Sequence, residues 1–333
     1  MNPKFVQRFE HWARHLAGDS FLQLYQTLAI GSFLLVGGVY LGYVDILWWQ
    51  ILLVLTTVVS LDYYLRVTLD QKSGFPFSAV NSAIGICLFL RTEWWPILFF
   101  AAIVAIASKY LFRSGDKHFF NPSYSAIFLV IAIFGNEAYV NHFQWGFDWY
   151  TLLPILFLGV FVTWRAGLWD SVLAFWISLL VCLTLFVDYT VEDFTWLFLT
   201  GSFLIMSFHG FTDPATMPTQ RRYRLLFGAQ IAILFFICRQ IINEGYSFFA
   251  AYFLVNLFEM GFWQLEGKQW RGYDLRLLVQ GGVTALLFLI LFTMSFIYYL
   301  ETSGFWPELL TNRCVQLICQ WGIIRSWDVD SGL

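Results

Sequence analysis

Charged side chains are scarce in this sequence of 333 residues. They make up 12% of the chain, whereas soluble proteins carry about 25%. Hydrophobic residues make up 59%, which is more than the core of an ordinary soluble domain needs. This shortage of charge argues against a simple soluble domain, and it leaves no concentration of basic residues that would indicate nucleic-acid binding.

Catalytic and metal-binding motifs are missing as well. The sequence contains no Walker loop, no dinucleotide-binding glycine motif and no serine-hydrolase elbow. Its histidines are scattered, and no group of Cys and His has the spacing of a metal site. We therefore predict no metal centre, and no residue pattern indicates an enzyme that works on its own.

Long apolar runs stand in place of the missing charge. A helix of about 20 apolar residues crosses the hydrocarbon core of a bilayer, and runs of that order recur along the whole chain. They predict an all-α polytopic membrane protein with ten or eleven transmembrane helices. The predicted spans are 22–43, 47–65, 78–90, 95–112, 121–135, 150–164, 169–187, 194–209, 222–241, 246–262 and 276–299.

The basic residues favour one side of this arrangement. With a cytoplasmic N-terminus, most of the 19 lysines and arginines fall in inside segments, as the positive-inside rule requires. Those that fall outside are Arg91, Arg239, Arg313 and Arg325. We therefore expect a multi-pass protein of the inner (plasma) membrane, with its N-terminus in the cytoplasm and its C-terminus outside. In the outer tail, a disulfide between Cys314 and Cys319 and two free thiols are equal alternatives.

Several predicted spans are short and interrupted, which is typical of inverted repeats with half-helices near the bilayer centre. We divide the chain into a cytoplasmic amphipathic segment (1–20), two five-helix halves (21–135 and 136–265), and an extra C-terminal transmembrane helix with its tail (266–333). Because five is odd, the two halves are expected to lie in opposite orientations across the bilayer.

The first of two conspicuous cytoplasmic loops covers residues 108–123. Asn121 precedes Pro122, a pair that predicts the start of a helix. The free amides and the positive dipole end of such a helix favour an anion, and Lys109 and Lys117 lie nearby in the sequence. Anion binding is one interpretation of this loop. A helix cap with ordinary basic residues on the cytoplasmic side is the other.

The second loop covers residues 209–219 and precedes three arginines. Thr212 and Asp213 are suited to capping exposed amides, while Thr216 and Arg221 complete the candidate binding residues. Arginines next to such a loop suit a phosphate group. Phosphate or headgroup binding is therefore one interpretation, and a stiff loop followed by positive-inside arginines is the alternative.

Four polar residues fall inside predicted spans: Asp62, Asn81, Asn256 and Glu259. Such groups are costly in a membrane unless they face a cavity or a partner, so we treat them as candidate functional residues. Glu259 lies near the predicted membrane edge, where a side chain that simply reaches the interface is an equal alternative.

The two loops resemble those of the NqrB/RnfD family, which are membrane subunits of Na+-translocating NADH:quinone reductase and of the Rnf complex. The resemblance covers roughly residues 20–270 and implies a ten-helix fold of inverted halves, an electron-transfer role and a flavin cofactor. It rests on Lys109, Phe120-Asn121-Pro122-Ser123, Phe211-Thr212-Asp213-Pro214, Pro218 and Leu226-Phe227-Gly228.

The chain departs from this family where the family attaches its covalent flavin. Family members esterify FMN to a threonine in an outer segment, whereas the corresponding residues 135–146 contain no threonine here. Covalent FMN is therefore not expected, and any bound FMN or riboflavin would be non-covalent. In this respect the chain most resembles the divergent UnbU-type, RnfD-like branch.

Three functions follow as alternatives. The resemblance favours a membrane subunit linked to electron transfer or flavin binding, which would work with other membrane redox subunits. The short spans and intramembrane polar groups favour a permease-like transporter of a small solute or ion. An accessory subunit that docks a partner in the bilayer is the third.

Overall fold

The computed structural model describes residues 21–69, 74–114, 117–140, 145, 148–186, 198–210, 212–214, 216–218, 220–242 and 244–265. Within these ranges the chain forms ten main helices. They are α1 (Phe21–Ser32, continued by π-helical turns over Phe33–Tyr40), α2 (Trp48–Leu69), α3 (Phe77–Phe89), α4 (Trp95–Leu111), α5 (Pro122–Phe134), α6 (Trp149–Ala166), α7 (Trp169–Phe186), α8 (Gly201–Ile205, continued by π-helical turns over Met206–Gly210), α9 (Arg221–Arg239) and α10 (Glu244–Leu265).

The prediction of an all-α protein is confirmed, and each helix overlaps one of the first ten predicted spans. Four helical stretches are long and apolar enough to cross a membrane, which is compatible with a membrane protein. Four further apolar helices are shorter. The long stretches are Leu22–Tyr40, Trp48–Leu69, Trp149–Ala166 and Trp169–Phe186, and the shorter ones are Phe77–Phe89, Trp95–Leu111, Pro122–Phe134 and Gly245–Phe258.

Residues 194–197 of the predicted span 194–209 lie outside the described residues. In its described part an α-helix begins at Gly201, where the hydroxyl of Thr200 accepts a hydrogen bond from the Phe203 amide at 3.2 Å and caps the helix. After Ile205 the backbone continues in π-helical turns. Such turns often mark functional sites, and these turns form part of the cavity described below.

Large apolar side chains cover the outside of the long helices. Phe157 of α6 is 65% exposed, and Leu185 and Phe186 of α7 are 70% and 72% exposed. Burying such a side chain away from water stabilises a protein by roughly 1.5–3 kcal/mol. At many positions of this fold, large apolar side chains remain exposed and do not contribute that stabilisation. Contact with lipid hydrocarbon would remove the cost of exposure to water, so these surfaces are compatible with a membrane protein.

Helix contacts recur at an interval of five helices. α1 packs on α3 as α6 packs on α8, α2 packs on α4 as α7 packs on α9, and α4 packs on α5 as α9 packs on α10. Between these two sets, α1 contacts α6 and α5 contacts α10. The two groups of five helices therefore share a pattern of contacts.

Two of the helices, α3 and α5, have only 13 residues each. At 1.5 Å per residue they measure about 20 Å, which is less than the roughly 30 Å of a bilayer core. The guanidinium of Arg91 donates to the carbonyls of Cys87 and Leu88 at 2.9 and 3.0 Å, and so caps the C-terminus of α3. Burial lowers the pKa of Arg91 to about 10, so this cap stays charged at neutral pH.

Four two-residue strands form two antiparallel pairs that close the loops around α5. β1 (Leu90–Arg91) pairs with β4 (Tyr139–Val140), and β2 (Arg113–Ser114) pairs with β3 (Lys117–His118). The predicted N-terminal segment 1–20, the predicted span 276–299 and the tail with Cys314 and Cys319 lie outside the described residues.

Candidate functional site

The two loops that stand out in the sequence meet in the structure. The Nδ2 amide of Asn121 donates to the main-chain carbonyl of Gly210 at 2.8 Å. Nearby, Nε2 of His118 lies 3.2 Å from a carboxylate oxygen of Asp213. The first contact joins the start of α5 to the end of α8, and the second joins β3 to the segment after α8.

Glycine is required at this junction. A Cβ atom at position 210 would overlap the hydroxyl of Tyr124 in the first turn of α5. The same kind of close approach occurs between α3 and α5, where a Cβ at Gly85 would lie 2.6 Å from the hydroxyl of Ser123. The backbones of α3, α5 and α8 therefore come together around one point.

A cavity of about 40 Å³ lies at this point. It is enclosed by α1, α3, the first turn of α5 and the π-helical turns of α8. Since a buried water needs roughly 10–15 Å³, the cavity takes about three waters or one small solute. The lining residues are Gln23, Gln26, Ile30, Ser78, Asn81, Ser82, Gly85, Leu88, Phe89, Asn121, Pro122, Ser123, Tyr124, Ile205, His209, Gly210 and Asp213.

The lining changes from polar to apolar along α3. Ser78, Asn81 and Ser82 share one face of this helix, and Leu88 and Phe89 follow on the same face. From Ser78 to Phe89 the helix rises about 16 Å. The polar end lies at the first turns of α3, and the apolar end lies near its C-terminus.

Amide side chains connect the helices at the polar end. Nδ2 of Asn81 donates to the main-chain carbonyl of Gln23 at 3.2 Å, and its Oδ1 accepts from the hydroxyl of Thr27 at 2.5 Å. Nε2 of Gln26 donates to the main-chain carbonyl of His209 at 3.1 Å. These bonds hold α1, α3 and α8 around the cavity.

The imidazole of His209, in the cavity wall, has no hydrogen-bond partner among the described residues. The residue is 4% exposed. Its ring meets the edge of Phe33, with the ring centroids 5.5 Å apart. Leaving a buried polar group unsatisfied costs roughly 1–3 kcal/mol, so a bound species that bonds this imidazole would recover that free energy.

The charge of the lining does not favour an anion. Among the described residues that form it, none is Lys or Arg, and the only carboxylate is that of Asp213. The start of α5 is capped internally, because Oδ1 of Asn121 accepts from the Tyr124 amide at 3.3 Å. Arg113, which lies in the same loop, places its guanidinium 4.8 Å from the ring centroid of Tyr110.

Two ion pairs join helices away from this cavity. Asp62 of α2 is fully buried, and its Oδ1 lies 2.8 Å from Nζ of Lys109 in α4. Asp170, at the start of α7, accepts hydrogen bonds from both Nε and Nη2 of Arg224 in α9, the shortest from each at 3.0 and 2.8 Å. The second pair has the bidentate geometry that makes arginine–carboxylate contacts strong.

Aromatic rings fill the space beyond His209. Trp145 is buried, and a Cβ atom at Gly37 of α1 or at Gly201 of α8 would overlap its side chain. Phe33 lies between the rings of His209 and Trp145, with centroid distances of 5.5 and 6.3 Å. We call Phe33 and Trp145 the aromatic plug, because Phe33 contacts His209 of the cavity lining and Trp145 fills the space beside Gly37 and Gly201.

Three other predicted residues lie outside the cavity lining. The hydroxyl of Thr212 donates to the carbonyl of Phe208. The hydroxyl of Thr216 donates to the carbonyl of Asp213 at 3.1 Å and lies 3.2 Å from the hydroxyl of Tyr252. Asn256 donates to the Tyr252 carbonyl in its own helix at 2.9 Å.

Among the remaining predicted residues, Arg221 is not brought to the cavity. Arg221 is 68% exposed at the start of α9, where its Nε lies 3.7 Å from Asp170. The side chains of Lys117 and Glu259 lie outside the described residues. Of the predicted set, the structure thus brings Asn81, Asn121 and Asp213 to the cavity.

Sequence reasoning assigned no role to His209, Gln26 or Asp170. For Asp170 a signal existed, because an acidic residue at the start of one predicted span and a basic residue at the start of another fall on the same side. His209 closes an otherwise apolar predicted span, which is a weaker signal. Nothing in the sequence pairs Gln26 with the His209 carbonyl, which is 183 positions away.

Comparison with protein-family models and with curated proteins gave no match to this chain.

Proposed function

We propose that this chain is a permease-like membrane protein in which a small neutral or cationic solute occupies the cavity among α1, α3, α5 and α8. The observation that carries the proposal is the buried, unpartnered imidazole of His209 in the wall of a polar cavity. Polar groups among apolar helices are costly, and they are retained where they face a partner or a transport pathway.

The helix arrangement supports this function. We interpret residues 21–135 and 136–265 as two five-helix halves in inverted orientation, because helix contacts recur five helices apart. The short helices α3 and α5 meet at the cavity through Gly85 and Ser123. Transporters built from inverted repeats bind their substrates where such half-helices meet near the bilayer centre.

The two ion pairs fit the same orientation. Asp62 and Lys109 lie near the C-terminal ends of α2 and α4, whereas Asp170 and Arg224 lie near the N-terminal ends of α7 and α9. In inverted halves, helices five apart cross the membrane in opposite directions. The C-terminal ends of α2 and α4 and the N-terminal ends of α7 and α9 would therefore lie on the same face. The positive-inside rule assigns the cations of both pairs to the cytoplasmic face. The polar end of the cavity would open to that face too.

The size and chemistry of the cavity limit the solute. A volume of about 40 Å³ is far below the roughly 300–1,000 Å³ of sites for drug-sized ligands. The lining offers hydroxyls, amides, an imidazole and one carboxylate, and it lacks Lys and Arg among its described residues. Ammonium, sodium and urea represent the cationic and neutral classes that fit, and nitrate represents the anions that do not.

Flux measurements in proteoliposomes test the proposal. Vesicles that contain the full chain should pass at least one of ammonium, sodium and urea faster than empty vesicles, and they should not accelerate nitrate. Asn81→Leu should abolish the flux, because it removes the amide at the polar end and fills the space beside it. Asn256→Leu is the matched control, since this asparagine lies on α10 and outside the lining.

A cysteine at the cavity sharpens the test. In a chain whose five cysteines are replaced by serine, Ser82→Cys places one thiol in the lining, within reach of a small thiol-reactive ion such as silver. Silver should block flux through this variant and leave the cysteine-free parent unaffected. No flux of any of the three solutes, together with an unreactive Cys at position 82, would refute the proposal.

A second candidate function is a RnfD/NqrB-like subunit linked to electron transfer. The observation that favours it is that the two loops of the resemblance contact each other, through Asn121 and Gly210 and through His118 and Asp213. A flavin cannot fit the cavity of about 40 Å³. Non-covalent FMN or riboflavin would therefore have to bind elsewhere, for example at an interface with another membrane redox subunit.

Absorbance spectroscopy of gently purified protein tests this second function. A flavin spectrum, with FMN or riboflavin identified by mass spectrometry after release, would support it. Protein that shows no flavin absorbance and binds neither added FMN nor added riboflavin would contradict it.

A further inference from the structure

Exposed aromatic and basic side chains collect where α6 ends and where α7 and α9 begin. We call this group the interface patch and define it as Trp164, Trp169, Arg221 and Arg222. Trp164 and Trp169 are 62% and 46% exposed, although tryptophan is highly buried on average in soluble proteins. The guanidinium of Arg221 lies 5.8 Å from the ring centroid of Trp169.

Apolar stripes run away from the patch along the outer faces of α6 and α7. On α6, Phe157 and Val160 precede Trp164 at helical spacing, and all three are exposed. On α7, Leu173 and Ile177 follow Trp169 at intervals of four, and they are exposed as well. Both stripes therefore end in a tryptophan at the level of the arginines.

The same change from charged to apolar occurs within one turn of α9. Leu225 and Leu226 lie four positions after Arg221 and Arg222, and both leucines are exposed. Tryptophans between an apolar band and basic residues are typical of the level of lipid headgroups. The three helices thus mark one membrane surface.

The carboxylate near the patch is occupied. Asp170 accepts hydrogen bonds from Arg224 at 3.0 and 2.8 Å and from the Ser171 amide at 3.0 Å, whereas Nε of Arg221 lies 3.7 Å away. Arg222 bonds the amide oxygen of Gln220 at 3.0 Å and the hydroxyl of Tyr223 at 3.2 Å. Among the described residues, Arg222 has no acidic partner, so the patch keeps a surplus of positive charge.

From this arrangement we propose that the interface patch binds the headgroup of an anionic phospholipid. Arg221 and Arg222 would hold the phosphate, since guanidinium groups bond phosphate oxygens in pairs. Trp169 would lie at the glycerol level, and the acyl chains would follow the exposed stripe that begins with Leu173. The continuous apolar surface below the arginines favours a lipid over free phosphate, which would need only the charges.

Lipid retention by the full chain tests this site. Protein purified in mild detergent is incubated with phosphatidylglycerol or phosphatidylcholine, and bound lipid is counted by native mass spectrometry. The wild type should hold phosphatidylglycerol in preference to phosphatidylcholine. Arg221→Gln with Arg222→Gln should weaken phosphatidylglycerol binding about 25-fold, because each basic residue at an anionic surface contributes roughly fivefold.

Two further variants separate charge loss from damage to the fold. Arg66→Gln removes one charge near the C-terminal end of α2, on the same predicted face, and should leave phosphatidylglycerol binding within twofold of the wild type. Arg221→Lys with Arg222→Lys keeps both charges and should retain most of the binding even if the Gln variants aggregate.

Three results would overturn the proposal. The first is equal binding of phosphatidylglycerol and phosphatidylcholine by the wild type. The second is a Lys variant that loses phosphatidylglycerol binding, or a monodisperse Gln variant that keeps it. The third is full displacement of the lipid by millimolar inorganic phosphate, which would identify a site for free phosphate instead.

Discussion

The Nδ2 amide of Asn121 donates to the carbonyl of Gly210 at 2.8 Å, while Oδ1 of the same side chain accepts from the Tyr124 amide at 3.3 Å. One asparagine therefore caps the start of α5 and fastens that start to the end of α8. A carboxylate at this position could perform the first task but has no donor for the second. A serine hydroxyl can cap a helix, but it is one bond shorter than the amide and would not reach both partners.

Substitutions at Asn121 should separate these two tasks. Asn121→Ser keeps a cap acceptor but leaves the buried Gly210 carbonyl unbonded, which costs roughly 1–3 kcal/mol. Asn121→Ala also loses the cap, which costs roughly 1 kcal/mol more. The unfolding temperature in detergent should fall in the order wild type, Ser, Ala. Equal stability of the wild type and the Ser variant would show that the contact with Gly210 contributes nothing.

The buried pair of Asp62 and Lys109 should be strongly coupled. Asp62→Leu or Lys109→Met alone leaves a charge without its partner, and breaking a buried pair in this way costs roughly 3–5 kcal/mol. The double variant replaces both charges by apolar groups and should be more stable than either single variant. A double-mutant cycle of unfolding free energies measures the coupling, and additive effects of the two changes would argue against a functional ion pair.

Much of the fold follows from the sequence because it depends on local properties. The apolar runs and the Asn121-Pro122 start locate helices to within a few residues. The partners of polar side chains depend on tertiary packing, which no local pattern contains. One interpretation of the first loop puts Lys109 near an anion at the start of α5. In the structure its Nζ instead contacts Asp62, which is 47 positions away. The two loops could be selected from their residues, but their contact through Gly210 could not.

Replacing His209 should separate stability from function. The imidazole is buried without a hydrogen-bond partner among the described residues, so His209→Leu removes an unsatisfied polar group. This change should leave the unfolding temperature unchanged or raise it, by the equivalent of about 1 kcal/mol, while it abolishes the proteoliposome flux. A marked loss of stability would contradict this prediction and would indicate that the imidazole is already satisfied, for example by ordered water.

The indole of Trp145 in the aromatic plug leaves no room for a side chain at Gly37. Mutations can test this by adding a Cβ at Gly37 and by removing the indole. A Cβ at Gly37 would overlap the indole of Trp145, so Gly37→Ala should destabilise the chain by roughly 1–3 kcal/mol, as overpacking does. Gly31→Ala is the matched control in α1, because its Cβ would lie 3.7 Å from the nearest atom, and it should be neutral or slightly stabilising. In a Trp145→Ala background the penalty at Gly37 should disappear, since the ring that it meets is gone. Thermal unfolding of the four combinations decides the matter: a penalty at Gly37 that persists without the indole would show that the backbone of the π-helical turns, and not the plug, requires glycine there.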